Sequence, residues 1–206
     1  MPRSNAKKQG KTQDLHGNAP DKCRVALLII DMINAFDFKG AEALLPRALA
    51  AAKATAALKR RARKAGVPVV YVNDNFGRWR SDFRSTLAHC LRKGVPGRPI
   101  AELLKPGDED YFVLKPKHSG FQFTTLDVLL EHLGAETLIL TGVAGNFCVL
   151  FTAHDAYMRD YRLVVPCDCI ASQTEVEDAF ALAHMERVTK ADTLPSSEID
   201  FSSLQS

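Results

Sequence analysis

The sequence predicts an α/β protein, a doubly wound three-layer α/β/α sandwich built on a mostly parallel sheet. Three observations carry that expectation. Short apolar runs without a polar face, which read as strands buried on both sides, alternate with longer segments of helical spacing. That alternation is what crossover connections between parallel strands produce. The chain of 206 residues, 46% apolar and 25% charged, can also bury one sizeable core.

The elements follow in order. "RVALLIIDM" (24–32) is a continuous apolar run ending in an acid, the first strand. "AEALLPRALAAAKATAALKRRARKAG" (41–66) is Ala- and Leu-rich, with cations in its last turns and Gly66 behind them, so it starts and stops as a helix does. "VPVVYVND" (67–74) is a second strand, again closed by an acid. An irregular stretch with the single tryptophan and room for two short helices precedes the third strand, "YFVLK" (111–115). "TTLDVLLEHLG" (124–134) has helical leucine spacing between a starting Thr and a stopping Gly. "AETLILTGV" (135–143) is the fourth strand and "NFCVLFTAHDAYMRDY" (146–161) the helix behind it. "RLVVPCDCI" (162–170) is the fifth strand, and "TEVEDAFALAHMERVTKA" (174–191) the last long helix.

Composition narrows the function classes. The net charge of +3 is mild, and much of it sits in the first 22 residues. Those residues hold almost no large apolar side chains, so 1–22 reads as a flexible basic arm and 23–206 as a single domain. The near-neutral remainder carries no nucleic-acid footprint. No run reads as a signal peptide or a membrane span. Five cysteines, an odd number without metal-like spacing, fit reduced thiols in a cytoplasmic protein. Cys167 and Cys169 read as alternating strand positions, and the histidines, among them His89, His132, His154 and His184, read as isolated. No cofactor and no metal site is expected.

In a parallel sheet the ligand site lies outside the carboxyl ends of the strands. Asp31, Asp74, Lys115 and the turn before Cys148 all fall there. Cys148 follows a Gly-containing turn at the start of a helix, where unpaired amides and the dipole favour a thiolate and a nearby oxyanion. Asp31 is the candidate base; its alternative is a loop or helix cap. Lys115 would keep that carboxylate charged and lower the thiol pKa, with Lys117 a rival for the same role. Phe36 and Trp79 are candidate apolar walls and His118 a candidate substrate contact.

Together these residues resemble the isochorismatase-like cysteine hydrolase family over residues 25 to about 193. "LLIIDMINAF" is similar to the family's first-strand motif and puts its aspartate on Asp31. "VLKPKHSGF" is similar to the segment that carries the family's lysine, which selects Lys115 over Lys117. "LTGVAGNFCVLFTAHDAYMRDY" resembles the most specific motif and puts the nucleophile on Cys148. The resemblance implies a cis peptide at Val143–Ala144 and an oxyanion hole made by the backbone amides of Ala144 and Cys148. Phe76 stands where metal-dependent nicotinamidases of the family carry a histidine, so no zinc or iron is implied. The retained cysteine favours C–N hydrolysis of a small-molecule amide, imide or carbamoyl group. The alternatives are vinyl-ether hydrolysis with Asp31 as acid, and a non-catalytic metabolite or redox sensor. Family members are commonly homo-oligomers, which sets the same expectation here.

Overall fold

The structure, a computed structural model, describes residues 22–205. The predicted basic arm, but for Lys22, therefore lies outside the described residues. Six parallel strands form one sheet: β1 (Val25–Ile30), β2 (Val69–Asp74), β3 (Tyr111–Lys115), β4 (Thr137–Val143), β5 (Arg162–Val164) and β6 (Ile170–Ala171). Their order is β3-β2-β1-β4-β5, with β6 pairing to the end of β4. β1 sits at the centre, its Ile29 level with Tyr71 of β2 and Thr141 of β4. The chain winds outward from β1 first one way and then the other. The reversal falls between β1 and β4, the place where open α/β sheets leave a crevice.

Every residue of β1 is buried, which is why its sequence shows no polar face. Val25, Leu27 and Ile29 pack on one side with α1 (Ala41–Lys64), α2 (Phe83–Cys90) and α3 (Arg98–Leu103). Ala26, Leu28 and Ile30 pack on the other with α4 (Leu126–Leu133), α5 (Leu150–Tyr157) and α6 (Glu175–Thr189). Two apolar layers thus flank one sheet, as the alternating pattern predicts. Gly134 ends α4 with a left-handed φ of 72°. Thr174 and Glu177 start α6 with a reciprocal capping box.

Two sequence expectations change. The run over 162–170 is not one strand but two short ones, β5 and β6. Pro166 has no N–H to continue a ladder, and the chain turns there, the Cys169 amide donating to the Pro166 carbonyl at 2.9 Å. Cys167 and Cys169 therefore lie in and at the end of this turn rather than on a continuous strand. The helix expected over 146–161 opens instead with a π-helical turn, Gly145–Val149, and becomes α-helical only at Leu150. The short terminal helix α7 (Phe201–Gln205) had no signal in the sequence pattern.

Candidate active site

The carboxyl edge of the sheet gathers the predicted polar groups because four neighbouring strands, β3, β2, β1 and β4, end there together. Asp31 directly follows β1, with φ 52°, a left-handed conformation that aspartate tolerates better than most residues. Its amide donates to the Val72 carbonyl at 3.0 Å, which holds it level with the end of β2. Lys115 is the last residue of β3 and lies opposite Asp74, the last of β2. Buried Asn73 ties the loop behind Asp31 in place: it accepts from the Ile33 amide at 3.2 Å and donates to the Ile33 carbonyl at 3.0 Å.

The Lys115 ammonium has no exposure to solvent and is met from several sides. It lies 2.8 Å from Asp31 Oδ2 and 3.3 Å from Asp74 Oδ2. It also donates to the Lys117 carbonyl at 3.2 Å and to Cys148 Sγ at 3.6 Å. Lys117 contributes only that carbonyl, its own side chain being exposed. Asp31 divides its carboxylate: Oδ2 faces Lys115, while Oδ1 accepts from the Asp74 amide at 2.6 Å. The Cys148 thiol feels the negative charge of the same carboxylate.

β4 delivers Cys148. Gly142 has φ 126°, and a Cβ there would lie 2.0 Å from the Ile30 carbonyl oxygen, so only glycine lets β4 run this close to β1. The Val143–Ala144 peptide is cis. In the π turn that follows, the amides of Phe147 and Val149 both donate to the Ala144 carbonyl, at 3.0 and 3.2 Å, a pairing that passes over the Cys148 amide. The Asn146 amide is taken by Ser172 Oγ at 3.0 Å.

Electrostatics corrects one expectation. Burial, reinforced by the negative charge of Asp31, pushes the Cys148 thiol up to about 12 despite the neighbouring ammonium. The resting group is a thiol, not the stabilised thiolate that a helix start and a lysine alone would give. Burial also raises Asp31 above the usual carboxylate range, the pull of Lys115 offsetting only part of it. For Lys115, burial works against the charge, but Asp31, Cys148 and Asp74 together hold the ammonium above its ordinary value. These shifts make Asp31 a better proton acceptor than an exposed aspartate and leave Cys148 a weaker acid than an exposed thiol.

Asp31, Ala144 and Cys148 line one cavity of about 410 Å³. Its walls differ from the expected ones. Phe36 has φ 53°, is almost fully buried and belongs to the core, while Phe38 two residues later reaches the cavity. Trp79 is 78% exposed and borders a separate surface hollow with Arg78 and Arg80. His118 packs edge-on against Phe147, their centroids 4.3 Å apart, and it is Phe147 that lines the cavity. Phe76, noted in the sequence only as standing in place of a metal-binding histidine, also lines it, as do Asn146, Gln173 and Glu177, which were not singled out from the sequence. All sit in segments following strand ends, which is the signal that would have found them. The histidines are not all isolated either, since His154 Nε2 and His184 Nε2 lie 3.0 Å apart between α5 and α6. Among the described residues no three His, Cys, Asp or Glu side chains cluster to hold a metal ion.

Fold and site together define a doubly wound α/β protein with its polar cluster at the carboxyl edge of a parallel sheet. The chain belongs to the isochorismatase family, whose Isochorismatase domain matches residues 25–194. The uncharacterized isochorismatase family protein YaaI of Bacillus subtilis is 42% identical over 178 residues, covering 86% of this chain and 97% of that one. The ureidoacrylate amidohydrolase RutB of Methylorubrum extorquens is 30% identical over 177 residues, covering 72% of this chain and 70% of its own. Among solved structures, the N-carbamoylsarcosine amidase of Thermoplasma acidophilum superimposes with a TM-score of 0.66 at 29% identity, covering 86% of this chain and 99% of that one. The family is one of isochorismatase-like hydrolases, and amidohydrolases are among the chain's relatives.

Proposed function

We propose that the protein is a cysteine hydrolase that cleaves a C–N bond of a small molecule, an amide, imide or carbamoyl group, through a thioester on Cys148. The observation that carries this reading is the approach of Lys115 Nζ to both Asp31, at 2.8 Å, and Cys148 Sγ, at 3.6 Å, beneath the cavity that those two residues line. Its amidohydrolase relatives support the bond type.

Because the resting sulfur is protonated, proton transfer accompanies attack. Asp31 takes the thiol proton as the sulfur adds to the substrate carbonyl. The developing oxyanion is held by the Ala144 and Cys148 amides. Asp31, now a carboxylic acid, gives its proton to the leaving nitrogen, the C–N bond breaks, and ammonia or an amine departs. Water then adds to the thioester and gives a proton to Asp31. The C–S bond breaks, the proton returns to sulfur, and the carboxylic acid product leaves. Lys115 holds Asp31 ionised at the start of each half-reaction.

The test is ammonia release from a panel of small primary amides, ureides and cyclic amides. Cys148→Ala should lower kcat by about four orders of magnitude or more while the circular dichroism spectrum and melting temperature stay close to those of the parent. Full turnover by that variant overturns the assignment.

A further inference from the structure

We infer that the site selects substrates by charge: the part of the molecule beyond the scissile carbonyl is cationic, or failing that neutral, and not a carboxylate. This rests on the reading of the cavity as a C–N hydrolase site and names the substrate class within it. The charged residues that line the cavity are Asp31, Asp74 and Glu177, and no Lys, Arg or His is among the lining residues described. The Lys115 ammonium lies beneath the floor, fully buried and already shared between Asp31 and Asp74. It offsets one carboxylate and has no face to offer a ligand.

Glu177 is the carboxylate left over. Its Oε2 is committed to the start of α6, accepting from the Thr174 amide at 2.9 Å and the Thr174 hydroxyl at 3.0 Å. That fixes the side chain at the cavity wall with Oε1 unspent. The rings of Phe38, Phe76 and Phe147 also line the cavity, and an aromatic face attracts a cation and repels an anion. The side-chain amides of Asn146 and Gln173 can meet either sign and do not decide the matter. In a cavity of about 410 Å³ with apolar walls, an unbalanced negative field is focused rather than dispersed. A substrate carboxylate would have to be stripped of water there with no cation to receive it.

The experiment measures the charge preference separately from turnover. Cys148 is labelled with aminoethyl, methyl and sulfonatoethyl methanethiosulfonates, which are cationic, neutral and anionic. Rates are read by mass on the Cys148 peptide and divided by those of a small free thiol. In parallel, ammonia release is followed from γ-aminobutyramide, valeramide and succinamate. The expected order in both series is cationic, neutral, anionic, with about tenfold or more between the extremes. Glu177→Gln, which keeps a side chain able to complete the capping box, should narrow that span at unchanged melting temperature. An anionic reagent that labels Cys148 as fast as the neutral one, or a preference for succinamate, overturns the inference. If the labelling order holds and none of the amides is hydrolysed, the charge selectivity stands and it is the hydrolase reading that falls.

Discussion

Cys148 and Lys115 show how far a residue's behaviour departs from its type. A thiol beside an ammonium is usually acidified, but here burial and Asp31 outweigh the lysine and push it to about 12. Alkylation of Cys148 by iodoacetamide should therefore be slow at neutral pH. It should still be rising with pH beyond pH 10, where an ordinary thiol of pKa about 8.5 has levelled off. Peptide mass mapping across pH would show a plateau by about pH 10 if this is wrong. Lys115→Met removes the cation between buried Asp31 and part-exposed Asp74 and should cost about 3 kcal/mol at pH 8. The pH dependence follows from Asp31. A carboxylate whose folded pKa lies above its unfolded value of about 3.9 adds stability at low pH and loses it as pH rises through the folded value. Without Lys115 that folded value climbs further, so urea unfolding should show a smaller deficit at pH 5 than at pH 8. At this scale the sequence was informative where side chains end strands: Asp31, Lys115 and Cys148 each close an apolar run or its turn. It was uninformative about Phe36 and Phe38, because which ring faces inward depends on the left-handed turn at Phe36.

Among the elements, β4 and the π turn behind it set the geometry on which the proposed chemistry depends. Gly142→Ala would place a methyl carbon 2.0 Å from the Ile30 carbonyl oxygen, at a φ of 126° that alanine rarely adopts. The loss should be about 3 kcal/mol or more, read as a lowered urea midpoint or as insoluble protein. A variant as stable as the parent would mean that β1 and β4 can separate freely at this edge. The strands and long helices were legible because their period and their stops are local properties. The break of the fifth strand at Pro166 and the π turn were not. The first depends on where β6 can pair with β4, and the second on the bonds that converge on one carbonyl.

Across the whole molecule the two ends of the sheet have different tasks. Away from the cavity, Asp110 just before β3 receives Lys59 at 2.8 Å and Arg63 at 2.7 Å, and so ties α1 to the sheet. Burial alone would raise the Asp110 pKa, but the bonds from Arg63 and Lys59 outweigh it and hold the carboxyl below its ordinary value. The stability it contributes is present above its unfolded pKa of about 3.9 and drains as pH falls through the folded one. Asp110→Asn should cost about 3 kcal/mol at pH 7, because Lys59 keeps only the neutral acceptors Tyr71 and Lys105, and its deficit should shrink below pH 4. Turnover per folded molecule should not change. A lowered kcat/KM in the folded fraction would show that the two ends are coupled. The strand order was beyond the reach of the sequence, since alternation predicts parallel strands but not who neighbours whom. That order brings the segment after β6, with Gln173 and Glu177, into the lining of the same cavity as Phe38 and Phe76. The close approach at Gly142 then has a mechanical meaning. Asp31 and Cys148, the proposed base and nucleophile, follow two adjacent strands held close at their ends, which limits how far either can swing. Any adjustment to a new ligand falls to the rim, where the half-exposed rings of Phe38 and Phe76 stand on loops. Changing what the protein accepts would therefore be a matter of reshaping that rim while the strands beneath it are left alone.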